Sequence, residues 1–167
     1  MQMDVLAGGA TMNGWIFQGN PKKFKIDEYL LRQEEILWLV RPESFAGKIE
    51  VGDAAFIWRS DGLRKGTGGI VARGQIVHQP EFRQDDAPGL WIESVASKPA
   101  MRVRIRIEEK RLLPQHGMLL RTHIKEHPEL KDLWILKWHS QTTFPIKAEH
   151  LHILLDLWKE EGEKRRC

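Results

Sequence analysis

Seven tryptophans stand against a single tyrosine in this chain. Trp15, Trp38 and Trp58 each fall in a separate short apolar run, Trp91 follows a polar stretch, and Trp134 and Trp138 lie beyond an arginine-rich run. Indoles that arrive from neighbouring strands at one rim form an aromatic cage. Such a cage suits a flat, weakly polar heterocycle, a nucleobase above all, and stacking on one aromatic side chain contributes about 1–3 kcal/mol per base. Asn20 stands at a turn after the first run, where its amide either hydrogen-bonds a base edge or closes an Asx-type turn before Pro21. From Met101 to Ile107, Arg102, Arg104 and Arg106 alternate with Met101, Val103, Ile105 and Ile107. Period two puts the arginines on one strand face and the apolar residues on the other. Three phosphate contacts from that face make nucleic-acid affinity clearly salt-dependent. Trp158, at helical spacing with Leu151, Leu154 and Leu155, reads as core instead.

Familiar catalytic patterns are absent. The segment 62–69 is glycine-rich but lacks the Gly-x4-Gly-Lys-Ser/Thr order of a phosphate-binding loop and reads as a hairpin loop. His123 and His127 are four apart, yet Ile124 stands where a zinc protease needs glutamate, and His150 and His152 face different ways. There is no Gly-x-Ser-x-Gly elbow, and the one cysteine is the terminal Cys167. A rival reading remains in Glu108-Glu109-Lys110. Glu108 and Lys110 have the Glu-x-Lys spacing of metal-dependent nucleases, with Asp85 or Asp86 as the upstream carboxylate. A third class is a regulatory domain whose pocket takes a small metabolite. No cofactor or metal is expected.

The elements that must position these residues follow from periodicity and punctuation. Residues 14–18 read as a strand closed by the turn Gly19-Asn20-Pro21, and Ile26 to Gln33 as a short helix with Asp27 and Glu28 in its first turn. Residues 36–40 and 54–59 are continuous apolar strands, buried on both faces. Glycines bracket a strand over Ile70 to Val77, as at a barrel corner where backbones approach closely. Residues 79–89 read as an exposed loop and 101–107 as a strand. A short helix is expected near Arg121 to His127, and a last strand or packed turn over 134–138. A final amphipathic helix runs from Ala148 to Glu161, with Gly162 as its cap and a charged tail over 163–167. The order predicts a compact α+β barrel.

The chain has 167 residues, 26 basic against 23 acidic, for a net charge of +3. That length supports one domain, here residues 13–162 behind a loose leader over 1–12. The mild positive charge permits a polyanionic partner. No run of 18 apolar residues exists, so no membrane partner is expected. The single cysteine agrees with a reducing, cytoplasmic setting.

Five segments carry a family resemblance. Residues 15–22 (WIFQGNPK), 36–41 (ILWLVR), 51–58 (VGDAAFIW), 69–74 (GIVARG) and 141–146 (QTTFPI) stand in the order found in EVE domains, members of the PUA-like superfamily. The resemblance implies an α+β, PUA-like pseudo-barrel of about five to six mostly antiparallel strands with flanking helices. It also implies a non-enzymatic reader of modified bases in nucleic acid, methylated cytosine in DNA or a modified base in RNA. Such domains occur alone or fused to restriction-type nucleases, so the resemblance also implies a restriction-type nuclease as a partner. Trp15, in the opening strand, and Asn20, in its turn, match the family. Trp38 matches the cage residue of the second strand, with Arg41 at that strand's end. Trp58 and Arg59 match the strand rim, and Gln141 and Thr142 the late polar segment. Trp91 falls where the related YTH fold places a second cage wall. The phosphate role of Arg102, Arg104 and Arg106 rests on charge alternation alone.

Overall fold

A computed structural model describes residues 13–92, 98–138 and 140–165. The expected leader over 1–12 and the terminal Cys167 lie outside the described residues. In chain order the elements are β1 (Gly14–Gly19), α1 (Ile26–Arg32), β2 (Glu35–Leu39), β3 (Ala54–Arg59), β4 (Gly69–Arg83) and β5 (Ala100–Lys110). Then come β6 (Leu119–Leu120), α2 (Arg121–Glu126), β7 (Thr143–Ile146) and α3 (Ala148–Arg165).

The seven strands form one mixed sheet in the order β2-β5-β4-β3-β1-β7, with β6 on β4. Its pairs are antiparallel except β1 with β3. The fold class is the expected α+β one with flanking helices, but the strand ladder does not close into a barrel. β4 is longer than expected, because residues 79–83, assigned to a loop from their polarity, continue the strand against the start of β5. Register shifts along β4 bend it, as bulges do. Where backbones cross, a Cβ on Gly69 or Gly74 would overlap a carbonyl oxygen of Leu119 or Arg106.

Both faces of the sheet are buried, which explains the unbroken apolar runs. One core joins Trp15, Phe17, Ala55, Ile57, Val71, Val103 and Ile105 to α1. The other joins Ile16, Phe56, Trp58 and Ile70 to Leu151, Leu154 and Trp158 of α3. Residues 134–136 make a 3-10 turn rather than a strand. Gly162 is not a cap: it lies inside α3, buried against the Arg111 guanidinium, where a Cβ would crowd that group. Arg111 in turn donates to the carbonyls of Trp158 at 2.5 Å and Gly117 at 3.1 Å, and lies over the Trp158 ring.

Candidate nucleic-acid interface

One end of the sheet collects most of the polar candidates. β1 and β3 are parallel with Gly19 opposite Arg59, so their following turns leave the same end. β7 runs against β1 and starts there. The last residues of β2 reach β7 through a seam outside the ladder. The Arg41 N–H donates to Thr142 Oγ1 at 3.1 Å and Thr143 Oγ1 at 3.2 Å. Both threonine N–H groups donate back to the Arg41 carbonyl, at 3.2 and 3.0 Å. Thr142 Oγ1 also donates to the Leu39 carbonyl at 2.7 Å. Gln18 Nε2 donates to the Gln141 carbonyl at 3.0 Å, and Gln141 Nε2 to the Thr143 carbonyl at 2.7 Å. Gln18, Gly19, Asn20, Arg41, Gln141 and Thr142 therefore share one rim. The Arg41 side chain is exposed and makes no ion pair among the described residues. Asn20 Oδ1 accepts the Lys22 N–H at 2.9 Å, which closes the Asx-type turn expected from the sequence.

The tryptophans do not meet as one group. Trp38 lies beneath the rim, its indole N–H donating to the Gln18 carbonyl at 3.1 Å. Phe24 packs edge-on to it at 6.4 Å and against Trp91 at 4.6 Å, so Trp38 and Trp91 share one cluster through Phe24. Trp15 lies near the start of β1, donates to Asp53 at 2.9 Å and packs on Phe45. Trp58 faces the α3 core on the opposite side of the sheet. Strand alternation puts Trp58 on the other face of the sheet from Trp38, whereas Trp15 shares the Trp38 core but sits at the far end of β1 from the rim.

A strap holds Trp91 in place. Its indole N–H donates to Asp85, while the Tyr29 hydroxyl donates to Asp86 at 2.6 Å and accepts the Leu37 N–H at 2.7 Å. Burial, with Asp86 adding to it, pushes the Tyr29 hydroxyl far above the usual tyrosine range.

The arginines also divide. Arg102 is only 2% exposed and donates to the carbonyls of Arg83 at 2.7 Å and Lys98 at 3.1 Å. Burial lowers its pKa, opposed by nearby Asp85. It therefore does not stand on a solvated arginine face, because the far half of β4 and the segment after it cover it. Arg104 and Arg106 both lie 3.9 Å from Glu35. Arg59 is buried and saturated: it donates to both Asp27 oxygens and to the carbonyls of Leu112 and Thr67, so it is structural rather than a rim group.

The nuclease constellation is not assembled. Ala100 opposes Arg83 on the ladder, so Glu108 lies eight residues along β5 from the loop that carries Asp85 and Asp86, about 27 Å away. Glu108 sits 3.8 Å from Arg73 instead. No group of three or more histidine, cysteine or carboxylate side chains placed to hold a metal ion occurs among the described residues.

Sequence reasoning missed the cations beside the rim. Lys22 and Arg64, with Pro21, Asp61, Leu63 and Leu113, line a cleft of about 450 Å³. Lys22, Arg64 and Lys65 are exposed, and none is in an ion pair among the described residues. The available signal was two turns ending parallel neighbours, each with a basic pair, Lys22-Lys23 and Arg64-Lys65. It needed the strand pairing to become visible.

The EVE domain family model matches residues 13–157. Among solved structures, human THYN1 protein in complex with 5-methylcytosine-containing DNA superposes with a TM-score of 0.64 at 14% identity, covering 87% of this chain and 97% of that one. A Pseudomonas putida protein superposes at 0.63 with 20% identity, covering 87% and 99%. The DUF55 domain of human thymocyte nuclear protein 1 does so at 0.61 with 18% identity, covering 87% and 98%. No curated protein matches the sequence.

Proposed function

The chain belongs to the EVE domain family, and from that premise we propose that it is a non-enzymatic DNA-binding module that takes one modified base, methylated cytosine first, into the rim at the end of β1. The observation that carries this reading is the convergence there of Gln18–Asn20, Arg41 and Gln141–Thr142 above the Trp38 indole. Its fold is shared with a protein held in complex with 5-methylcytosine-containing DNA, which supports the choice of base.

Asn20, Arg41 and Gln141 supply donors and acceptors for a base edge, and Trp38 supplies the stacking wall. Phe24 packs against both indoles and, like Trp38, is buried, so a base reaches Trp38 only by displacing the Phe24 ring. Extrusion costs a few kcal/mol of lost stacking and pairing, and stacking on Trp38 offsets about 1–3 kcal/mol of it. Burying the added methyl contributes about 0.8 kcal/mol, roughly fourfold. Greater selectivity has to come from a polar group left unpaired by the wrong base.

Binding to matched duplexes with one cytosine or one 5-methylcytosine, and to the corresponding RNAs, tests the reading. The methylated DNA is expected to bind best, and Trp38→Ala to weaken it about tenfold to a hundredfold. Equal affinity for every probe would overturn the reading.

A further inference from the structure

Leu63 is 88% exposed, the most exposed large apolar side chain among the described residues. A lone surface leucine is ordinary, but this one is held at the tip of an ordered loop. Gly62 turns at φ 62° and Gly66 at φ 80°, a region that favours glycine. The Asp61 carboxylate accepts the N–H groups of Gly66 at 3.1 Å and Gly68 at 2.8 Å. The Thr67 hydroxyl donates to the Arg64 carbonyl at 2.6 Å. The loop thus spends its polar groups on its own shape and leaves an apolar tip in water. Arg64 and Lys65 follow the tip directly, and Lys22 lines the same cleft. At the loop's root, the Ser60 N–H donates to the Gly19 carbonyl at 3.0 Å, which ties the loop to the rim.

We propose that Leu63 is a wedge for double-stranded DNA. When a base leaves the duplex for the rim, its neighbours lose a stacking partner, and an apolar side chain entering the gap restores contact. Leu63 fills that gap, while Arg64, Lys65 and Lys22 hold the phosphates beside it. The assignment rests on the modified-base reading above and adds the form of the polymer: a duplex is required for the wedge to matter.

Three probes separate the outcomes: a duplex with one paired 5-methylcytosine, the same strand alone, and the same duplex with an abasic site opposite the modified base. Leu63→Ala is expected to weaken the fully paired duplex about tenfold while leaving the single strand within about twofold. Leu63→Phe is expected to keep duplex affinity. Arg64→Ala is expected to lower the salt slope by about one on all three probes. Unchanged duplex binding by Leu63→Ala, or equal losses on duplex and single strand, would overturn the wedge. A wild-type protein indifferent to the methyl group would instead overturn the base-receiving reading itself.

Discussion

The Tyr29 hydroxyl bonds both the buried Leu37 N–H and Asp86, so it joins α1 to β2 and to the strap that carries Trp91. Burial raises its pKa, so the folded protein keeps a proton that the unfolded chain releases above about pH 10. The stability this group contributes is whole below that pH and falls by about 1.4 kcal/mol per unit above it. Tyr29→Phe is expected to cost about 1–3 kcal/mol at neutral pH by orphaning the Leu37 N–H. The gap to wild type should then narrow as pH rises past about 10. Urea unfolding at pH 7, 10 and 11 checks this, and a constant gap would contradict it. Individual residues were the hardest scale to read from sequence. Asn20 was legible because turn chemistry is local. Trp15, Trp38 and Trp58 were not separable, because strands buried on both faces carry no polar alternation to say which indole points where. Arg102 looked identical to Arg104 and Arg106 until the far half of β4 covered it.

Elements were more legible. The periodicity of α3 and β5, and the paired acids of α1, were sufficient to place them to within a few residues. The misses came from tertiary context overriding local polarity. β4 continues through residues 79–83 because β5 supplies a partner strand, and the glycine at 162 is inside α3, where it leaves room for the Arg111 guanidinium, instead of ending the helix. The seam between β2 and β7 could not be anticipated, since it joins residues about a hundred positions apart through threonine hydroxyls. Thr143 is fully buried there, and its Oγ1 bonds the Arg41 N–H and the Leu39 carbonyl, both at 3.2 Å. Thr143→Val keeps the volume and removes these bonds, so it is expected to lower unfolding free energy by about 1 kcal/mol. A variant as stable as wild type in a denaturant titration would show that the seam contributes nothing.

For the whole molecule, the net charge of +3 is less informative than where unpaired cations fall. Lys22 and Arg64 line the cleft beside the rim, Lys65 follows Arg64 in the same loop and Arg41 is on the rim itself, whereas Arg104 and Arg106 share Glu35 elsewhere on the sheet. With about three phosphate contacts, the logarithm of DNA affinity should fall against the logarithm of salt with a slope near −3. Arg106→Ala should leave that slope unchanged, and a slope reduced by Arg106→Ala would return the phosphate site to the β5 face. Whether a base reaches Trp38 at the rim is read from the indole N–H resonances of ¹⁵N-labelled protein, assigned with single Trp→Phe variants. On saturation with a 5-methylcytosine duplex, the Trp38 and Trp91 signals should shift, while Trp15, bonded to Asp53, and Trp158, bonded to Glu109, stay in place. A saturated complex in which the Trp38 signal has not moved would mean that no base stacks on Trp38.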